Sequence, residues 1–84
     1  MAPRTWHLHI EKALTADALF DGAAEIARIS GYRLGDAREF MAHLPGTLPQ
    51  PLYQHQALRL ARLLSRAQVK ALILAPPAAN HNSA

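Results

Sequence analysis

The chain has 84 residues, half of them hydrophobic, a net charge of +3 and no cysteine. That length permits one domain with one small core, burying about 60 to 65% of its unfolded surface, and leaves no room for a deep cleft. The missing cysteines exclude a disulfide framework, a thiolate metal site and a thiol nucleophile, so packing must hold the fold, as suits a reducing, cytoplasmic setting.

The opening M-A-P-R-T-W-H-L-H-I-E-K lacks the apolar run of a secretory signal, and no stretch of about 18 consecutive apolar residues occurs, so no membrane association is expected. Charge is unevenly placed. Residues 1–39 carry all six acids against five bases, whereas residues 40–84 carry four bases and no acid. Such asymmetry often marks an electrostatic partner surface.

Trp6, Leu8 and Ile10 alternate with His7 and His9, the period of a strand with one apolar and one polar face, which places a first strand at Thr5 to Ile10. Thr15 or Asp17 is suited to cap the helix that follows, with Leu19, Ala23, Ile26 and Ala27 on its inner side. Ser30-Gly31 should end it, because glycine takes the left-handed position past a helix terminus without strain. Leu34, Ala37, Phe40, Met41 and Leu44 recur at helical spacing, and Asp36 and Glu39 sit in the early turns that favour acids. Pro45-Gly46 stops this second helix. Thr47 to Leu52 holds two prolines, so it reads as an edge strand or extended loop. Tyr53 to Gln68 is the clearest helix, with Ala57, Leu60, Ala61, Leu64 and Ala67 on one face. Val69 to Leu74 forms a last strand, and residues 76–84 lose all apolar period and read as a disordered tail. Residues 1–75 are therefore expected to form one two-layer α+β domain of order β-α-α-β-α-β, with a small three-stranded antiparallel sheet and three helices on one face.

This order resembles the C-terminal domain of the bacterial ribosomal large-subunit stalk protein. The residues that carry the resemblance are Ser30, Gly31, Leu34 and Ala37 at the start of the second helix, Pro45 after it, Leu48, and the ladder Ala57, Leu60, Leu64 and Ala67. The resemblance covers Thr5 to Leu74 and implies the fold. In the family, lysines on the first two helices contact translation factors. Leu19, Ala24, Ala27 and Gly35 stand where such bases would be, and only Arg38 keeps the charge. Arg59, Arg62 and Arg66 replace acids of the family, Gln68 replaces its helix-ending glycine, and no counterpart of its dimerisation region and hinge is found. The same fold is similar to the adaptor that delivers substrates to the Clp protease, but Ile10 to Asp17 has none of that adaptor's acidic, asparagine-rich recognition loop. The resemblance thus implies a stalk-type fold with a different surface.

His55, Arg59, Arg62 and Arg66 follow at intervals of four, three and four, forming one stripe, with Lys70 at its end. Arginines so spaced are able to grip successive carboxylates or phosphates with two hydrogen bonds each. A solvated outer face is the plainer reading, yet the alternating acids that would neutralise such a face are missing. Asp17, Asp21 and Glu25 form an acidic stripe on the first helix, which is free to meet the basic one within a molecule or between molecules. His7, His9, Leu72 and Leu74 should share the open face of the sheet. That face offers self-association. A metal needs a third or fourth ligand, which the sequence does not place. Asp36 and His43, seven apart on the second helix, are candidate neighbours.

No nucleophile motif, metalloprotease motif or glycine-rich phosphate loop occurs, so neither catalysis nor a cofactor is expected. The sequence therefore favours a non-enzymatic adaptor that binds an anionic partner through its third helix. Acidic protein is favoured over RNA, since no aromatic residue stands beside the arginines to stack on bases. A homodimer through the open sheet face is the alternative.

Overall fold

The computed structural model describes residues 4–77. The first strand, β1, runs His7–Ala13, starting later and ending three residues further on than its alternation suggested. Leu8 and Ile10 point inward and are fully buried. Simple alternation would next turn Lys12 into the core, at a large desolvation cost. A register shift between Ile10 and Lys12 prevents this, placing Lys12 across from Lys70 and Ala13 across from Val69. Glu11 is the extra residue of a bulge, and the bulge restores the inward face. Its carboxylate lies 3.6 Å from Lys70 Nζ, offsetting the two facing lysines.

Helix α1 spans Ala16–Ser30. Thr15 caps it, its Oγ1 accepting a hydrogen bond from the Ala18 N–H at 3.1 Å, and Gly31 leaves it in the left-handed region at φ 82°. Its buried face matches the expected one at Ala23 and Ile26, with Ala27 packed against the core, but not at Leu19. Ala18, Gly22, Ala23, Ile26 and Ser30 are buried, whereas Leu19 is 38% exposed. Gly22 is what brings α1 close: a Cβ there would stand 2.9 Å from Met41 Cε and 3.0 Å from Val69 Cγ2.

Helix α2 is Leu34–Met41, with Ala37 and Met41 buried, and gives way to a turn at Ala42 and His43. After a cis Leu44–Pro45 bond comes β2, only Gly46–Thr47, which pairs antiparallel with β1. The chain stays alongside β1 past its prolines, since Trp6 and Leu52 exchange backbone hydrogen bonds of 3.0 and 2.7 Å. Helix α3 is Gln54–Arg66 and β3 is Val69–Leu74. Between them Gln68 takes φ 67°, the left-handed turn that ends α3.

The sheet has the order β2-β1-β3, antiparallel throughout. Helices α1 and α3 pack on the sheet and α2 packs on α1, making the expected two-layer α+β domain in the expected element order. Leu8, Ile10, Ile26, Met41, Leu48, Leu52, Leu60 and Leu64 form the fully enclosed centre. Helices α1 and α3 lie antiparallel: Leu14, ahead of α1, donates to the Gln68 carbonyl at 2.8 Å, and Gln56 Nε2, early in α3, donates to the Ile29 carbonyl near the end of α1 at 3.3 Å. Most of the expected tail lies outside the described residues. Among the described residues no helix is long and apolar enough to cross a membrane.

Candidate functional site

Ala57, Leu60 and Leu64 anchor α3 to the sheet, and each leucine side chain so enclosed contributes about 1.5 to 3 kcal/mol of burial. Fixing that face fixes the opposite one. His55, Arg59, Arg62 and Arg66 are all exposed there, and the three guanidinium groups are spread over about 10 Å of helix axis. The ion pairs of the described residues are Arg28–Glu25 and Lys70–Glu11 at 3.6 Å, and His43 Nδ1 lies 3.5 Å from the Glu39 carboxylate. None of them involves an arginine of α3.

Lys70 does not extend this stripe. It projects from the outer face of β3, the side away from the helices, where Glu11 engages it. The stripe continues at its other end instead. His55 stacks on Tyr53 with ring centroids 5.6 Å apart, and the Arg4 guanidinium lies 5.4 Å from the Tyr53 centroid. An aromatic residue does adjoin the basic surface, then, with Arg4 and His55 against its ring, while Gln54–Arg66 itself contains no Phe, Tyr or Trp, its one ring being the imidazole of His55. Nothing in the sequence signalled Arg4. It arrives because the Trp6–Leu52 bridge brings the start of β1 beside the start of α3.

Among the described residues the acidic and basic stripes face one groove without forming an ion pair across it. A groove of about 410 Å³ between α1 and α3 is lined by Asp21 and Glu25 on one wall and Arg66 on the other, with Ala24, Leu63 and Ala67 between. Glu25 is also paired with Arg28 on its own helix, which leaves Asp17 and Asp21 as the exposed acids of that stripe.

The open sheet face brings together the four residues assigned to it. His7 stands across from Leu74 and His9 across from Leu72, with the leucines 41% and 50% exposed. Thr47, unforeseen, completes the row, its Oγ1 lying 2.9 Å from His9 Nδ1. Among the described residues no three metal-ligating side chains converge. His43 turns to Glu39, with Nδ1 2.9 Å from its carbonyl oxygen, rather than to Asp36. No family model matches this chain, and no curated protein is found to be similar to it.

Proposed function

We propose that this protein is a small non-enzymatic interaction module, built on a fold like that of the ribosomal stalk C-terminal domain, which engages an acidic protein through α3. The observation that carries this reading is the exposed row Arg59, Arg62 and Arg66, to which the described residues offer no ion-pair partner. Like charges one turn apart weaken a helix by a few tenths of a kcal/mol each, a cost that an anionic partner offsets. Guanidinium groups at this spacing suit carboxylates on successive turns of a facing helix. The engaged ring of Tyr53 supports protein over single-stranded RNA, whose bases need free aromatic surface. A cytoplasmic setting belongs to the same proposal.

An amide NMR titration tests it, using a glutamate-rich helical peptide and a short single-stranded RNA at low and physiological salt. The peptide should shift His55, Arg59, Arg62 and Arg66 at both salt levels and leave Lys70 in place. RNA shifts should vanish at the higher salt. RNA shifts that persist would make nucleic acid the partner, and silence with both probes would remove the reading.

The second reading is self-association through the open sheet face, favoured by the exposure of Leu72 and Leu74 beside His7 and His9. Under it Leu72→Asp yields a monomer, whereas a wild-type protein that stays monomeric at millimolar concentration contradicts it.

A further inference from the structure

Backbone hydrogen bonding fixes which groups β3 turns away from the sheet. In an antiparallel ladder the N–H and C=O of one residue point to the same neighbouring strand, and successive residues alternate. The Leu48 N–H donates to the Leu8 carbonyl at 2.9 Å, and Trp6 exchanges bonds with Leu52, so Trp6 and Leu8 serve the β2 side. His7 and His9 therefore serve β3, and their partners Leu74 and Leu72 direct their backbone groups back to β1. Beyond the bulge the Leu14 N–H donates to the Gln68 carbonyl at 2.8 Å, which extends the same parity to Lys70. Val69, Ala71 and Ile73 consequently present their N–H and C=O groups at the outer edge of β3, where the described residues place no further strand.

This edge lacks the usual protections. It is six residues long, contains no proline, has its bulge on the partner strand, and carries one charge, Lys70, already drawn to Glu11. Edges of that kind are templates for another strand.

We infer that a second copy of this chain pairs there, β3 against β3 in antiparallel register about a two-fold axis at Leu72. That register matches the outward groups, since Ala71 of one copy and Ile73 of the other form a hydrogen-bonded pair. Leu72 then meets its own counterpart in the non-hydrogen-bonded position, where side chains come closest. On the inner face a small residue lies against a large one. Lys70 falls across from Leu74, and the two lysines stand at opposite ends of the ladder; sliding the register back toward the start of the strands draws these like charges together.

The helix layer is compatible with this joint. The groove side of α3 carries Leu63, Arg66 and Ala67. Helical spacing puts Leu58, Ala61 and Ser65 on the flank away from that groove, with no charge among them and Leu58 44% exposed. A dimer so formed keeps the arginine rows of both copies on its surface. It is independent of what α3 binds.

Hydrogen exchange on the full-length protein, read residue by residue at rising concentration, tests the pairing. Leu72 and Leu74 amides should be protected at every concentration by β1. The Ala71 and Ile73 amides should gain at least about tenfold in protection as dimer forms. Ala71→Pro removes one outward N–H while sparing the β1 ladder, as proline at a free edge does, so a folded monomer by sedimentation is expected. Should that variant unfold, Leu72→Lys, at an exposed position, sets two like charges at the two-fold axis and should likewise give a monomer. His9→Glu lies on the sheet face away from the edge, so it should leave this dimer intact, whereas it would break one formed by stacked sheet faces. Free exchange of Ala71 and Ile73 at millimolar concentration, or protection there that does not change with concentration, would overturn the pairing.

Discussion

Gln68 shows how one residue can hold a position against its own preference. At φ 67° it occupies the left-handed region, which costs a residue with a Cβ about 1 kcal/mol relative to glycine. The stalk-domain pattern has glycine there. Gln68→Gly should therefore raise stability by about 0.5 to 1 kcal/mol in a urea titration, and a loss would mean that the glutamine side chain contributes something its backbone strain conceals. Ser30 is the buried polar residue at the end of α1. Its hydroxyl donates to the Ile26 carbonyl and accepts from the Tyr32 N–H at 3.4 Å. Its own carbonyl accepts from Gln50 Nε2 at 3.2 Å, so residues from the β2–α3 connection finish a helix far back in the chain. Ser30→Ala should cost about 1 kcal/mol, measured the same way.

Among the elements, α3 separates a buried face from an exposed one most cleanly, and under the proposed reading only the exposed face binds. Leu64→Ala opens a cavity in the centre and should cost about 2 to 5 kcal/mol. Arg62→Glu, on the exposed face, should change stability by no more than about 0.5 kcal/mol. A thermal melt of both variants checks the pair of expectations. That division was legible in the sequence because the period of Ala57, Leu60 and Leu64 is unambiguous, and the span of β3 was read as it stands. The far half of β1 was hidden. Its bulge at Glu11 exists to keep Lys12 out of the core, a requirement set by β3, distant in sequence. On α1 the apolar spacing places Ala23 and Ile26 inside, as they are, but also Leu19, which is exposed, while Gly22, at a close approach to Met41 and Val69, and Ser30 are buried. Proximity in sequence predicts Lys70 at the end of the arginine row, but a strand sends alternate residues to opposite faces, and Lys70 falls on the far side. Arg4 joined the row with no local signal.

Across the whole molecule, the acids of one helix stripe and the arginines of another lie on neighbouring surfaces. Helix α1 presents Asp17 and Asp21, α3 presents three arginines, and Asp21 and Arg66 share the walls of one groove. Exposed charges of this kind act over about 8 Å at physiological ionic strength, so an acidic partner should feel both rows at once. Raising salt from 50 to 500 mM should therefore slow association markedly and affect dissociation less, as stopped-flow fluorescence with the glutamate-rich peptide would show. Paired through β3, two copies would offer two arginine rows, and a partner long enough to reach both would be held more tightly than one row allows. Under the proposed reading Arg59 and Arg62 serve binding and not folding. The most direct test of that reading is the affinity of the glutamate-rich helical peptide for wild type and for Arg59→Glu/Arg62→Glu, by fluorescence anisotropy at physiological salt, with melting temperatures recorded alongside. The account requires a loss of about a hundredfold or more at an unchanged melting temperature. Equal affinity for both proteins would contradict it.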